Sequence, residues 1–87
     1  MRIFRALKRV MTGDVVQQFD TLANGGSTTM SLRLKRERGS NDQYVVLAGL
    51  NAGNYQYFAF DRDEFDHFSQ AVEATRNLLM QGSQPTT

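Results

Sequence analysis

The chain has 87 residues, no cysteine and a single histidine, His67, and its ten basic and nine acidic side chains give a formal net charge of +1. The lack of cysteine excludes disulfide scaffolds, thiolate metal sites and cysteine nucleophiles, and one histidine excludes multi-histidine metal sites. No apolar run approaches the roughly 18 residues of a membrane-spanning helix. This length predicts one domain, placed at residues 1–82, followed by a flexible polar tail at residues 83–87.

Charge is unevenly distributed along the chain. Residues 1–38 contain eight basic and three acidic side chains, whereas residues 39–87 contain two basic and six acidic ones. Such a molecule can present a basic face while staying nearly neutral, and it can also self-associate. The isoelectric point near 8.2 lies below the values above about 9 that are typical of nucleic-acid-binding domains, so overall charge alone does not favour nucleic acid.

The first predicted element is a basic amphipathic helix over residues 1–11. Its apolar residues recur at helical spacing, its other side is basic, and no acidic residue precedes Asp14. Three interpretations stay open: a terminal helix packed on the domain, a mitochondrial presequence, against which the lack of serine counts, and a surface for phosphate or anionic lipid.

The next segment, residues 12–26, has an ambiguous pattern. Its apolar residues follow helical spacing, with Asp14 as a possible cap and two glycines as a possible end. These apolar residues are Val15, Val16, Phe19 and Leu22. We predict a helix here, with an edge strand beginning at the two valines as the alternative.

Three strands are predicted next, at residues 29–38, 43–50 and 55–61, separated by turns. Alternation in the first and third strands divides their side chains between two sides of a sheet. One side carries Met30, Leu32, Leu34, Phe58 and Phe60. The other carries Arg33, Lys35, Tyr55 and Tyr57.

The last predicted element is a helix from Asp63 to about Met80, which Gly82 should end. Asp61 and Glu64 fit a capping box, and acidic residues in the first turns suit the helix dipole. An apolar stripe at helical spacing should cover the apolar side of the sheet, and consists of Phe65, Phe68, Val72, Thr75 and Leu79. The fold class is therefore α+β, with a three- to four-stranded antiparallel sheet packed on a C-terminal helix and an N-terminal helix before it.

The second side of the sheet is the candidate functional surface. Arg33 and Lys35 could hold phosphates, while Tyr55, Tyr57 and, depending on register, Tyr44 could stack on bases. This side could also be simply wetted, or covered by the N-terminal helix. Capping explains the acidic residues at the helix start, so we predict no metal site. No hydroxyl with an orienting partner is visible and the glycines form turns, so we predict no cofactor and no catalytic activity.

Two stretches, SLRLKRERGSNDQYVVLAGL and YQYFAFDRDEFDHFSQAVEATRNLL, resemble the purine-rich-element-binding (Pur) family, within the wider Whirly and positive-cofactor-four type of single-strand binders. The shared features are a basic hairpin, a strand that leads into an acidic helix start, and the sequence Glu64-Phe65-Asp66-His67-Phe68. The resemblance implies a strand meander plus helix that pairs with a second copy through the helix, and a sheet face that binds single-stranded DNA or RNA. The predicted order helix, three strands, helix, together with the stretches DVVQQFDTLANGGSTTMSLRLKRER and DRDEFDHFSQAVEATRNLLMQG, is similar to the Alu-domain subunits of the signal recognition particle. That resemblance implies subunits that pair with each other and bind folded RNA on a sheet face.

We therefore expect a non-catalytic single-stranded DNA- or RNA-binding module that acts as a homo- or heterodimer. The expected dimer interface consists of Phe65, Phe68, Val72 and Leu79. The alternative is a protein-interaction or assembly subunit without nucleic-acid binding. We expect an intracellular, reducing compartment and no integral membrane association.

Overall fold

A computed structural model describes residues 2–83, which form two α-helices, one four-stranded sheet and a short 3-10 helix at Asn24–Gly26. The elements in chain order are helix α1 (Arg2–Met11), strands β1 (Asp14–Ala23), β2 (Thr28–Arg36), β3 (Gln43–Asn51) and β4 (Asn54–Phe60), and helix α2 (Arg62–Ser83). The strands are antiparallel and lie in chain order, so β1 and β4 form the edges. This confirms the predicted α+β class with its terminal helices. Of the predicted tail, Ser83 belongs to α2 and residues 84–87 lie outside the described residues.

The prediction of a helix within residues 12–26 is wrong. Asp14–Ala23 is an edge strand that pairs with β2 along its length, with a bulge between Val15 and Gln17. Phe19 and Leu22 are three residues apart, a spacing that would put them on one side of a helix. In the strand they point to opposite faces of the sheet, and both are exposed. Because pairing with a neighbouring strand outweighs a weak local period, the segment follows the sheet.

Strand register defines two faces of the sheet. The face that we call the α2 face carries Phe19, Met30, Leu32, Leu34, Val45, Leu47, Phe58 and Phe60. The face that we call the α1 face carries Ser31, Arg33, Lys35, Tyr44, Val46, Ala48, Tyr55, Tyr57 and Ala59. These are the two sides that alternation predicts for β2 and β4.

Helix α2 packs on the α2 face only through its first turns. The predicted capping box is confirmed, because the Glu64 backbone N–H donates to Asp61 Oδ1 at 2.8 Å and the Asp61 N–H donates to Glu64 Oε1 at 3.0 Å. The rings of Phe65 and Phe68 lie 6.0 and 5.0 Å from that of Phe60, measured between centroids. From residue 69 to residue 82 every residue of α2 is exposed, so the rest of the stripe does not cover the sheet as we expected. The helix also continues through Gly82 to Ser83.

Helix α1 lies against β3 and β4 on the α1 face. It buries Arg9 and half-buries Ala6 and Val10, while Phe4 and Leu7 are exposed. An amphipathic helix would bury its apolar residues and expose its basic ones, whereas α1 buries a basic residue and exposes two apolar ones. The reason is a set of hydrogen bonds from Lys35 and Tyr44 to carbonyls at the C-terminal end of α1. In the part of the chain that the structure describes, no helix has the length and hydropathy to cross a membrane.

Candidate nucleic-acid interface

The four residues predicted to contact nucleic acid, Arg33, Lys35, Tyr55 and Tyr57, all lie on the α1 face. Tyr55 and Tyr57 stand two residues apart on the edge strand β4, so their Cα atoms are separated by about 6.6 Å. Their side chains are 62% and 42% exposed. Edge-strand rings at this spacing can accept two stacked bases, as aromatic residues on sheets do in RNA-binding domains.

Arg33 lies on β2, two strands away from these tyrosines. Arg33 is in register with Ala59 of β4, which is two residues from Tyr57. The Cα atoms of Arg33 and Tyr57 are therefore separated by roughly 12 Å. The side chain is half-buried, and its Nε donates to Ser31 Oγ at 3.2 Å. This bond orients the guanidinium along the strand, while a guanidinium still has four other N–H groups with which to meet a phosphate.

Lys35 has a different role from the one that we predicted. Its side chain is 7% exposed, and its Nζ donates to the backbone carbonyls of Arg9 at 3.0 Å and of Val10 at 3.1 Å. Burial lowers the pKa of Lys35, and the nearby Arg33 charge lowers it further. The ammonium group therefore satisfies carbonyls at the C-terminal end of α1, where a cation also suits the helix dipole, and it is not offered to a ligand.

Tyr44 lies beside Lys35 on the same face and is only 2% exposed, so it offers no ring for stacking. Its hydroxyl lies 2.8 Å from the carbonyl oxygen of Arg9 and 3.0 Å from that of Thr12, and its one proton is shared between these acceptors. The Arg9 guanidinium lies 4.8 Å from the ring centroid, in cation–π contact. Gly13, with φ of 83°, passes so close that a Cβ there would collide with the Tyr44 hydroxyl.

The residues expected at a dimer interface divide into two pairs. Phe65 and Phe68 are half-buried against Phe60, whereas Val72 and Leu79 are 50% and 68% exposed. A shallow apolar hollow runs along α2 between them, lined by Phe68, Ala71, Val72, Thr75, Arg76 and Leu79. The apolar stripe of α2 is thus exposed to solvent along most of the helix.

The acidic start of α2 is explained by its own hydrogen bonds. Asp61 and Glu64 cap the helix reciprocally, and Asp66 accepts from Gln70 Nε2 at 2.9 Å. Among residues 2–83, no group of three or more histidine, aspartate or glutamate side chains is arranged to hold a metal ion. His67 is exposed on the helix surface.

Comparison with known proteins gives no match, whether to a protein-family model, a curated protein or a solved structure. Sequence reasoning missed the anchor that Lys35 and Tyr44 form for α1. Lys35 and Tyr44 are cross-strand partners on β2 and β3, and this pairing would have indicated the anchor. It could not be derived from the sequence, because the register between the two strands was not known.

Proposed function

We propose that the chain is a non-catalytic module that binds single-stranded DNA or RNA on the part of the α1 face that α1 leaves uncovered. The observation that carries the proposal is the placement of Arg33, Tyr55 and Tyr57 on one face with both rings exposed. Cations hold the phosphates of a single strand and rings stack on its bases regardless of sequence. Lys35, which is occupied by α1, is left out of the contact surface.

The order of elements also supports this proposal. Four strands in a simple meander lead directly into a capped helix, which is the strand-meander-plus-helix order that the resemblance to the Pur family implies. Helix α1, which lies against this face, also carries the exposed basic residues Arg5 and Lys8. Long-range attraction of this kind steers an anionic strand toward its binding surface.

We further propose that the module acts as a dimer through α2. The open stripe from Phe68 to Leu79 is a contiguous apolar surface on an otherwise solvated helix, and such surfaces mark interaction sites. A second copy offers the same stripe, so a two-fold contact would bury both at once. The α1 face, on the opposite side of the sheet from the start of α2, would stay accessible in that dimer.

The exposed stripe also favours the alternative function, an assembly subunit that binds no nucleic acid. Its occupant would then be another protein, and Arg33, Tyr55 and Tyr57 would be ordinary solvated residues of a sheet. The two functions differ in one respect that can be measured directly, which is whether substitutions on the α1 face change the affinity for an oligonucleotide.

The test is fluorescence anisotropy with a labelled single-stranded oligonucleotide at low salt. Replacing Arg33 with alanine should weaken binding several-fold and lower the salt dependence by about one phosphate contact, and Tyr57→Ala should weaken it by about tenfold through lost stacking. Arg36→Ala is the matched control, because Arg36 is an exposed cation on the same strand but on the opposite face. Equal effects of Arg33→Ala and Arg36→Ala would remove the α1 face from the proposal.

A further inference from the structure

A hollow of about 450 Å³ lies on the α2 face at the β3–β4 turn, away from the contact with helix α2. This volume is within the range of about 300–1,000 Å³ that is typical of ligand pockets. None of the residues that line it carries a formal charge at neutral pH. The hollow therefore suits a neutral, polar ligand.

The floor of the hollow is a glycine that the fold does not require. Gly49 lies inside β3, between Met30 on one neighbouring strand and Gln56 on the other. Its φ is not in the left-handed region, and a Cβ built there would meet only the Met30 sulfur, at an ordinary 3.8 Å. Because glycine weakens a strand and often marks the close approach of a ligand, the missing side chain points to an occupant of this space.

Polar groups at the turn end of the hollow are held in place by one buried hydroxyl. Thr28 is buried, and its Oγ1 accepts from Asn51 Nδ2 at 2.9 Å and from Asn24 Nδ2 at 3.1 Å. Each of these amides retains a second N–H and a carbonyl oxygen for a ligand. The exposed amides of Asn54 and Gln56 line the same hollow from β4.

An apolar wall faces these amides. Phe58 stands two residues beyond Gln56 on the same face of β4 and is about half exposed, and Met30 borders the hollow from β2. A flat aromatic ring and a thioether beside several amides form a surface for a flat ligand with a polar edge. Amide side chains pair in two-point fashion with a base edge, and most readily with adenine.

We propose that this hollow binds one unpaired nucleobase, stacked on Phe58 with its polar edge toward Asn51, Asn54 and Gln56. The choice of a nucleobase over another neutral polar ligand rests on the proposed function, since Tyr55 lines the hollow and also belongs to the proposed single-strand interface. A strand that crosses the β4 edge would place its stacked bases on the α1 face and one selected base here. The hollow then gives the module a base preference that stacking alone cannot supply.

The test is a titration of the whole chain with free adenosine, followed by ¹H–¹⁵N correlation spectra. Side-chain amide signals of Asn54 and Gln56 and the backbone signal of Gly49 should shift together. In Gly49→Val, which fills the hollow with a side chain that strands favour, the dissociation constant should rise by at least about tenfold. Arg33→Ala, on the other face, should leave these shifts unchanged.

Three results would overturn the proposal: no shift at the solubility limit of adenosine, the same shifts in Gly49→Val, or equal shifts with glucose at the same concentration. If Gly49→Val does not fold, the double variant Asn54→Ala with Gln56→Ala makes the same comparison. Free adenosine carries no phosphate and makes none of the contacts proposed for Arg33, and shifts at Gly49, Asn54 and Gln56 that Gly49→Val removes report on the hollow and not on stacking at the α1 face. Adenosine shifts without oligonucleotide binding would support a ligand site in the hollow and contradict the proposed function. Oligonucleotide binding without adenosine shifts would support the proposed function and contradict the site in the hollow.

Discussion

At the scale of single residues, Lys35 and Tyr44 decide how the N-terminal part of the chain is placed. Both donate from the sheet to carbonyls near the end of α1, and both are nearly inaccessible to solvent. A buried carbonyl that loses its donor costs about 1–3 kcal/mol, so these side chains matter more for α1 than for any ligand.

Replacing Lys35 with methionine should therefore lower the free energy of unfolding by about 1–3 kcal/mol, because methionine fills the space without donating. Urea denaturation measures this loss. Arg36→Met, at the next position of β2 but exposed, should change stability by less than about 0.5 kcal/mol. Equal stabilities of the two variants would show that the Lys35 anchor contributes nothing.

Tyr44 adds a pH dependence with a definite sign. Burial raises the pKa of its hydroxyl above the ordinary 10.0, so the folded protein keeps this proton to higher pH than the unfolded chain does. Its contribution to stability is complete below pH 10.0 and is lost as pH rises through the raised pKa. Lys35 acts in the opposite direction, because its pKa is lowered on folding and stability therefore rises with pH between that lowered pKa and 10.5.

The Tyr44→Phe variant isolates the tyrosine, since it keeps Lys35. At neutral pH the variant should be less stable than the original chain by about 1 kcal/mol. This difference should shrink in thermal melts as pH rises above about 10, because the unfolded chain then releases the tyrosine proton while the folded protein still holds it. A difference that stays constant across that range would contradict the role given to the hydroxyl.

At the scale of elements, α2 begins at a strong local signal. The reciprocal bonds between Asp61 and Glu64 hold the first turn that brings Phe65 onto Phe60. Asp61→Ala should cost about 1 kcal/mol, whereas Asp61→Asn keeps an oxygen acceptor and should cost less. Melting curves followed by circular dichroism compare the two, and equal losses would mean that capping is not what the aspartate supplies.

The elements also show which parts of the fold can be predicted from sequence. The capping box of α2, the alternation of Leu32 and Arg33, and the turn at residues 51–54 are local signals, and the structure follows them. Strand β1 was predicted only as the alternative to a helix, because its apolar residues fit a helical period, whereas pairing with β2 decided its structure. Alternation also predicted that Arg33, Tyr55 and Tyr57 share one face of the sheet, and the register confirms this, but the burial of Lys35 depends on α1 docking, which no local pattern encodes.

At the scale of the whole molecule, much apolar surface stays uncovered. The buried apolar core includes only Tyr44, Val46 and Ala48 among the described residues, while Phe58 and Val72 are about half exposed and Phe19 and Leu79 are about two-thirds exposed. A chain of this size has little core to spare, so burying such surface between two copies would stabilise both.

Self-association should therefore depend on the α2 stripe. Leu79→Glu should shift the chain from dimer to monomer in sedimentation at micromolar concentration, and it should remove the rise of melting temperature with protein concentration. Asn77→Glu, which adds the same charge on the opposite side of the helix, is the control and should stay dimeric. A single species of 9.9 kDa for the unaltered chain at all concentrations would contradict the dimer.

The most direct test of the central claim is a salt titration of binding to a single-stranded oligonucleotide by the unaltered chain. Contacts between phosphates and cations beside the α1 face predict that the logarithm of the affinity falls linearly with the logarithm of salt concentration, with a slope of about −0.7 for each phosphate neutralised. Tyrosine stacking predicts that part of the affinity remains at high salt. Absence of binding at the lowest salt concentration would contradict the claim that this face recognises single strands.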